Sequence, residues 1–477
     1  AARRAAVQAL VVTTAGGLAL LAAAILLQRL TGSWELSQLA GHDLRAGIAY
    51  PVVLGLVVLA AFTKSAQLPF HFWLPNAMEA PTPVSAFLHS ATMVQGGVYL
   101  LARLHPALGG TAMWSTTLII FGSATLLWGG VAALRQTDLK QMLAQTTLAS
   151  LGLLVLLIGI GTEAAIVAAV LYFVAHALYK AALFLVVGII DHETGTRDIT
   201  ALSGLRDSLT ITFIAAALAA FSMIGLPPLL GYFAKEEMYA ALLTGEWQSL
   251  LVLSVLIIGN ALLAGVALAV LIKPFMGTAL PLPKEPREGS VALLAGPAAF
   301  AIVGLAAGFI SGWVGTMVVA PAASAILGTQ VESQLGLHFD LLDPVLWLSL
   351  LTWLLGGLVY WRLDLIRTVL RRGQVAFGWT FDQGFDALMF ALIRASGAVT
   401  RFLHHGRLEL YLVLLFFFFA LAILVPLSSL GGLPGIPGNI ELTFYEGGVI
   451  LIAIVGVAAV VAAPTRLFGI LALGIQG

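Results

Sequence analysis

Apolar residues run along this chain in stretches of about 20, separated by short polar punctuation rich in Pro, Gly, Lys and Arg. At about 1.5 Å per residue, a helix of that length covers the roughly 30 Å hydrocarbon layer of a bilayer. Read by hydropathy, the crossings fall near 8–28, 48–67, 83–104, 112–134, 141–161 and 164–190. Further ones fall near 208–242, 249–272, 290–320, 343–361, 408–427 and 447–464, and another starts near Leu467. The pattern predicts an all-α polytopic membrane protein of about 12–13 transmembrane helices. Membrane barrel strands are about ten residues long with strict alternation, and no segment is built that way.

Two of these crossings are expected to be discontinuous. Pro69, Pro75, Pro81 and Pro83 follow Lys64, and Gly225, Pro227, Pro228 and Gly231 interrupt 208–242. The paired interruptions, 48–83 and 208–242, suit two related halves of the kind found in inverted-repeat transporters. Residues 380–406 differ from the rest. Phe385, Leu388, Met389 and Leu392 share a helical face, while Asp382, Asp386, Arg394 and Arg401 interrupt the run. That pattern suits an in-plane amphipathic helix, lying on the membrane surface or across its neighbours; a plain cytoplasmic connector is the alternative.

Composition sharpens the class. The chain is 60% hydrophobic and 10% charged, with a mean hydropathy of +1.01, where a soluble domain carries about 25% charged residues. Lys and Arg balance Asp and Glu at 23 each, so net charge points to no nucleic acid. The absence of cysteine excludes thiolate metal sites, Cys-bound iron–sulfur clusters and disulfides. The chain opens "AARRAAVQAL" without Met and stops at "LALGIQG" in mid-hydrophobic run, so both ends are expected to be cut from something longer. Alternating the crossings places Arg3, Arg4, Arg135, Lys140, Arg197, Lys273 and the arginines of 362–372 on one side. Arg29, Arg45 and Arg103 fall on the other, so the first side is expected to be cytoplasmic.

Charges inside the crossings carry the chemistry. A Lys at the bilayer centre costs at least about 2.5–3.5 kcal/mol on insertion scales. Lys64 sits late in its run and has snorkelling as its ordinary explanation. Lys180 lies past the middle of "AAIVAAVLYFVAHALYKAALFLVVGII", in line with Tyr172 and His176 at i, i+4 and i+8. Such a stripe faces the bundle interior or water and makes a short proton relay; the plainer reading is packing, with His176 bonded to a neighbouring carbonyl. Lys235 opens the second half of the crossing interrupted at Gly225–Gly231, either as an ordinary capped helix start or on an ion path. His89 opens "HSATM" beside Gln95 and is read as a core histidine or a member of the same path. Asp138 and Lys140 mark a cytoplasmic helix start, either as a dipole-favoured cap or as a proton entry point. Glu79, in the Pro-rich stretch, joins Tyr172, Asp138, Lys140 and Gln95 as a supporting residue.

A desolvated amine can bind and release protons near neutral pH, and a nearby carboxylate holds the proton until it moves away. No carboxylate lies clearly deep in the predicted spans to pair with Lys64, so its partner is expected on a helix outside this chain.

"KSAQLPFHFWLPNAMEAPTPVSAFLHSATM", "HALYKAALFL" and "GYFAKEE" closely resemble the antiporter-like subunits shared by respiratory complex I and the Mrp multisubunit sodium/proton antiporters. The resemblance covers the chain to about residue 320. It implies a core of fourteen helices, two of them broken, of which this chain holds the sixth onward. It also implies a glutamate on the fifth helix as the partner of Lys64. Lys64, Lys180 and Lys235, with His89 and His176, match the family's proposed proton path. Tyr172 stands where the complex I distal subunit has a second histidine, and a tyrosine is a poorer proton store. "GIIDHETGTRDI" and "FYEGGVILIAIVGVAAVVAA" resemble the A-type branch of the Mrp subunits. Many chains of that branch have Lys where this one has Gln95.

The resemblance therefore implies a proton-translocating subunit of a multisubunit Na+/H+ antiporter, multi-pass in a bacterial plasma membrane, with other antiporter subunits and the bilayer as partners. It implies no cofactor, and any metal site is unknown. Its expected parts are an antiporter-like core at 1–320, a further transmembrane helix and lateral helix at 321–406, and extension helices at 407–477. Two alternatives stand beside it. One is the distal proton-pumping subunit of a redox-driven complex; the other is a structural membrane subunit with a vestigial relay.

Overall fold

The computed structural model describes residues 2–42, 44–90, 92–337, 340–404, 406, 408–429, 443–465 and 468–469. Among them, the one extended pairing outside the helices is a bridge between Asp138 and Asp198. The first crossings are α1 (Ala2–Thr31) and α2 (Tyr50–Lys64), then the short α3 (Trp73–Asn76), α4 (Thr82–Ser90) and α5 (Gln95–Leu108). α6 (Ala112–Arg135), α7 (Leu139–Ile160) and α8 (Glu163–Thr194) follow, then α9 (Thr210–Ile224), α10 (Leu230–Ala240) and α11 (Trp247–Phe275). Next come α12 (Val291–Phe309), α13 (Ser311–Val314) and α14 (Ala320–Leu327), then α15 (Pro344–Trp361), α16 (Leu363–Phe377) and α17 (Phe381–Leu403). α18 (Leu408–Ser429) and α19 (Phe444–Val461) complete the described elements. Nine of these helices are long and apolar enough to cross a membrane, and three shorter apolar segments join them.

Contacts divide the chain into two units, one ending at Leu388 and one beginning at Met389. The first is built around α7, in which every residue from Met142 to Gly159 is buried. Asp138 caps this helix by accepting from Lys140 N at 2.8 Å and Gln141 N at 3.1 Å, and Gly161 ends it at φ +69°. That left-handed C-cap suits glycine, which has no Cβ to clash. α6 lies against α7 backbone to backbone. A Cβ at Gly129 would meet Ala149 N at 2.5 Å, so only small residues permit this approach.

Both expected interruptions are present. α2 stops at Lys64, and the chain turns through 65–81 before α4; α9 stops at Gly225, and α10 begins at Leu230. Two more crossings are also interrupted. The expected 83–104 segment splits between Ser90 and Gln95, where the Ser65 hydroxyl draws the Val94 carbonyl to itself at 2.7 Å. The expected 290–320 segment reaches Leu327 through α12, α13, a π turn at Gly315–Val319 and α14. α12 runs antiparallel to α8, with Gly296 facing Leu185 and Gly304 facing Leu178. At Gly308 it presses on the second break, where a Cβ would fall 1.9 Å from Pro228 O.

The charge count that set the orientation has a structural counterpart. Arg367 Nε donates to Leu134 O at 3.0 Å, Lys273 pairs with Asp364 at 3.1 Å, and Arg197 pairs with Asp138. These contacts gather the end of α6, the start of α7, the loop after α8, the end of α11 and the start of α16 at one end of the bundle.

The start of α17 belongs to the first unit. Asp382 accepts from Arg4 at 3.0 Å, Gln8 at 2.7 Å and Asn76 at 2.9 Å, and Asp386 also accepts from Arg4. Phe381 packs edge-on to His71 at 4.8 Å, and Phe385 lies 5.3 Å from Phe72. The second unit holds the rest of α17, α18 and α19, the last opening with a capping box between Thr443 and Glu446. The crossing expected near Leu467 lies outside the described residues.

Candidate functional site

α8 supplies the centre of the site. Tyr172, His176 and Lys180 stand on one face, as their spacing predicts, and all three are buried. Lys180 Nζ donates to Leu143 O at 3.2 Å and to the Thr146 hydroxyl, both on α7. Its amine is thus solvated by neutral oxygens. Among the described residues no carboxylate forms an ion pair with Lys64, Lys180 or Lys235.

His176 Nδ1 lies 3.0 Å from the Gln95 amide nitrogen at the start of α5, while Nε2 makes no hydrogen bond. His89 is fully buried, its ring 4.9 Å from Phe184 of α8, and neither ring nitrogen is bonded. Such groups are costly when left dry, so an imidazole without partners is suited to take up a water.

A hydroxyl chain runs beside this pair. Ser150 donates to Thr146 O at 2.9 Å, which leaves its oxygen to accept from Tyr172 at 2.9 Å. Tyr179 in turn donates to Tyr172 at 3.0 Å. Tyr179 also lines a cavity of about 10 Å³, room for roughly one water, shared with Ser222 of α9, Leu229 and Gly304. That cavity borders the second break. There Lys235 Nζ donates to Ile224 O at 2.8 Å, at the buried carbonyl end of α9. Gly225 makes the fold-back possible: its φ is +83°, and a Cβ would sit 2.6 Å from Lys235 Cδ.

Lys64 lies half-buried at the end of α2 with its stem along Gly96, whose Cβ would be 3.8 Å from Cγ. It takes no part in the hydrogen bonds or ion pairs of the described residues. Gln95, next to Gly96, therefore stands between Lys64 and His176. The fold brings Lys64, Gln95, His176, Lys180 and Tyr172 into one neighbourhood, with His89 against the same face of α8 and Lys235 at the break that the cavity borders.

Asp138, Lys140 and Glu79 lie elsewhere, at the end of the bundle that gathers the basic residues. Asp138 is the N-cap of α7 and partner of Arg197. Lys140 is buried, its amine donating to Met78 O at 2.9 Å and to Ala80 O, while Gln141 donates to Pro75 O at 3.0 Å. Glu79 is exposed on that same turn. These residues clamp the 75–80 turn to α7. Thr146, Ser150 and Tyr179 were not anticipated from sequence; for the first two the signal is the polar run "AQTTLAS" within an otherwise apolar span. Among the described residues no group of three or more His, Asp or Glu side chains is gathered to hold a metal ion.

Residues 1–259 match the family profile described as NADH:quinone oxidoreductase/Mrp antiporter, TM. The chain is 33% identical over 513 residues to the A subunit of the Na+/H+ antiporter of Bacillus subtilis (strain 168), covering 100% of this chain and 63% of that protein. It is 32% identical over 496 residues to the A1 subunit of the Na+/H+ antiporter of Staphylococcus haemolyticus (strain JCSC1435), covering 98% of this chain and 61% of that one. The Mrp complex from Dietzia sp. DQ12-45-1b contains a chain that superposes with a TM-score of 0.80 at 34% identity, over 99% of this chain and 51% of its own length. The chain thus spans less than two thirds of the length of these relatives.

Proposed function

Because the chain belongs to the membrane-subunit family of NADH:quinone oxidoreductases and Mrp antiporters, we propose that it serves as the A-type component of a multisubunit Na+/H+ antiporter, carrying protons across a bacterial plasma membrane. The observation that carries this reading is the amine of Lys180, fully buried at mid-helix among neutral oxygens, with an imidazole one turn away. An intramembrane charge is costly and is kept where ions move. Protons pass along Lys64, His176 and Lys180 to Lys235, with Gln95 orienting His176, Tyr172 and Tyr179 bridging to the second break, and His89 as a side acceptor. In a medium of low dielectric, charge on one lysine is felt by the next, so loading one site favours release from its neighbour. The reaction needs no redox cofactor within this chain. Its partners are the other antiporter subunits, which share the sodium path.

The test is Lys180→Ala in the assembled complex, measured as Na+-driven proton movement in inside-out vesicles without an electron donor. Loss of exchange with normal assembly is expected. Wild-type exchange would make the relay vestigial and reduce the protein to a scaffold. Proton movement that appears only with an electron donor would move the chain to the redox-driven branch.

A further inference from the structure

A second buried polar cluster lies one turn beyond Lys235. Tyr239 of α10, Asn260 of α11 and Thr352 of α15 are all fully buried in otherwise apolar helices. Thr352 donates to Leu348 O at 2.8 Å, so its oxygen is left to accept from the Tyr239 hydroxyl at 2.8 Å. Tyr239 accepts in turn from Asn260 Nδ2 at 3.3 Å. The donors therefore all point one way, from Asn260 to Tyr239 to Thr352. Two atoms are left over: Asn260 Oδ1 is buried without a partner, and so is the hydroxyl of Ser349, one turn before Thr352. Asn260 and Thr352 both lie beyond residue 259, where the family match ends.

We infer that this cluster continues the proton path from Lys235 toward the end of the bundle opposite the basic cluster. The inference rests on the relay reading above. Tyr239 and Lys235 share a face of α10 at i and i+4, and Tyr239 lies further along the helix, away from the break. α15 ends near Arg367 at the basic end, so Ser349, on the N-terminal side of Thr352, leads away from it. The free amide oxygen of Asn260 holds a water that takes a proton from the Lys235 side. Each hop then breaks one O–H bond and makes another: Tyr239 receives a proton on its oxygen and passes its own to Thr352, whose own O–H turns from Leu348 O and gives its proton to a water held by the free hydroxyl of Ser349. After one proton has crossed, every hydroxyl points the opposite way and must rotate before the next. The charged groups on these three helices are Lys235, Glu236 and Glu237 on α10, Glu246 and Lys273 at the two ends of α11, and Asp343 and Arg362 at the ends of α15. Of these, Lys235 and Glu236 lie one turn from Tyr239.

The plainer role for such a cluster is polar glue between helices. Tyr239→Phe keeps the ring and removes the hydroxyl, while Asn260→Asp puts a titrating group at the free oxygen. In vesicles containing the whole complex, Tyr239→Phe is expected to lower exchange about ten-fold or more with normal assembly, and Asn260→Asp to move its pH profile. Thr352→Val gives the same reading from the far end should Tyr239→Phe fail to assemble. If Lys235→Ala is inactive while these variants exchange at the wild-type rate with an unmoved pH profile, the cluster is glue and the extension is overturned. If Lys235→Ala itself exchanges normally, the relay reading fails and the extension with it.

Discussion

The break after α2 and the break between α9 and α10 each bring a lysine to a helix end, yet the two are closed by different means. At the second break the lysine is part of the closure: Lys235 folds back on Ile224 O and satisfies the carbonyl end of α9, where a positive charge is favoured. At the first break neutral groups do the closing. Ser65 donates to Val94 O at 2.7 Å, Leu68 N donates to Thr125 at 3.0 Å, and Trp73 donates to Thr63 O at 3.0 Å. Lys64 is left out of that set. On the proposed relay, one lysine thus serves both architecture and transport, while the other is released from architecture altogether.

Lys235→Ala breaks this comparison most severely. It is expected to abolish exchange and also to destabilise the complex by about 1.5–3 kcal/mol, the usual worth of a hydrogen bond to a charged group. A lowered melting temperature of the solubilised complex, alongside the transport assay, reads both. Lys64→Ala should match it in transport but not in stability, with a change within about 0.5 kcal/mol. Equal melting temperatures for the two variants would mean that the breaks are closed alike.

Between the breaks, Gln95→Leu removes the partner of His176 Nδ1 while keeping similar bulk. Exchange is expected to fall roughly ten-fold because the imidazole loses its fixed tautomer and orientation, the role a hydrogen bond to one ring nitrogen plays for the other. Gln95→Glu should restore part of the rate, since a carboxylate accepts from Nδ1–H and again fixes the ring, though in the opposite tautomer. A Leu variant at full rate would confine the path to Lys64 and Lys180 without His176.

How much of this was legible follows from where the signals live. Lys180 and His176 stand out because a charge or imidazole in a 32-residue apolar helix has no ordinary place there. The second break is written in Gly225, Pro227 and Pro228. The break between Ser90 and Gln95 is not, because its cause is a hydroxyl on another helix. Thr146 and Ser150 are hidden for a related reason. Each bonds a carbonyl of its own helix, as hydroxyls in membrane helices commonly do, and nothing local marks the second partner. Asp382 looked like an interruption of an apolar face; its three donors come from α1 and the end of α3, hundreds of residues away. The cap at Asp138 was readable from its neighbours, whereas the burial of Lys140 against the 78–80 carbonyls depends on the turn that folds over it.

The smallest expected effect tests the neutral closure itself. Ser65→Ala deletes the bond to Val94 O that holds the α4–α5 interruption against the end of α2. Interhelical hydrogen bonds of this kind average about 0.6 kcal/mol in membranes, because competing partners exist in the unfolded reference. The closure also keeps Leu68 N on Thr125 and Trp73 on Thr63 O, so one bond lost from the set should not open it. Exchange is expected to drop no more than about two-fold, through slight movement of Gly96 along the stem of Lys64. A loss as large as that of Lys64→Ala would show that the hydroxyl, and not the amine alone, sets the position of the path, and the first break would then resemble the second after all.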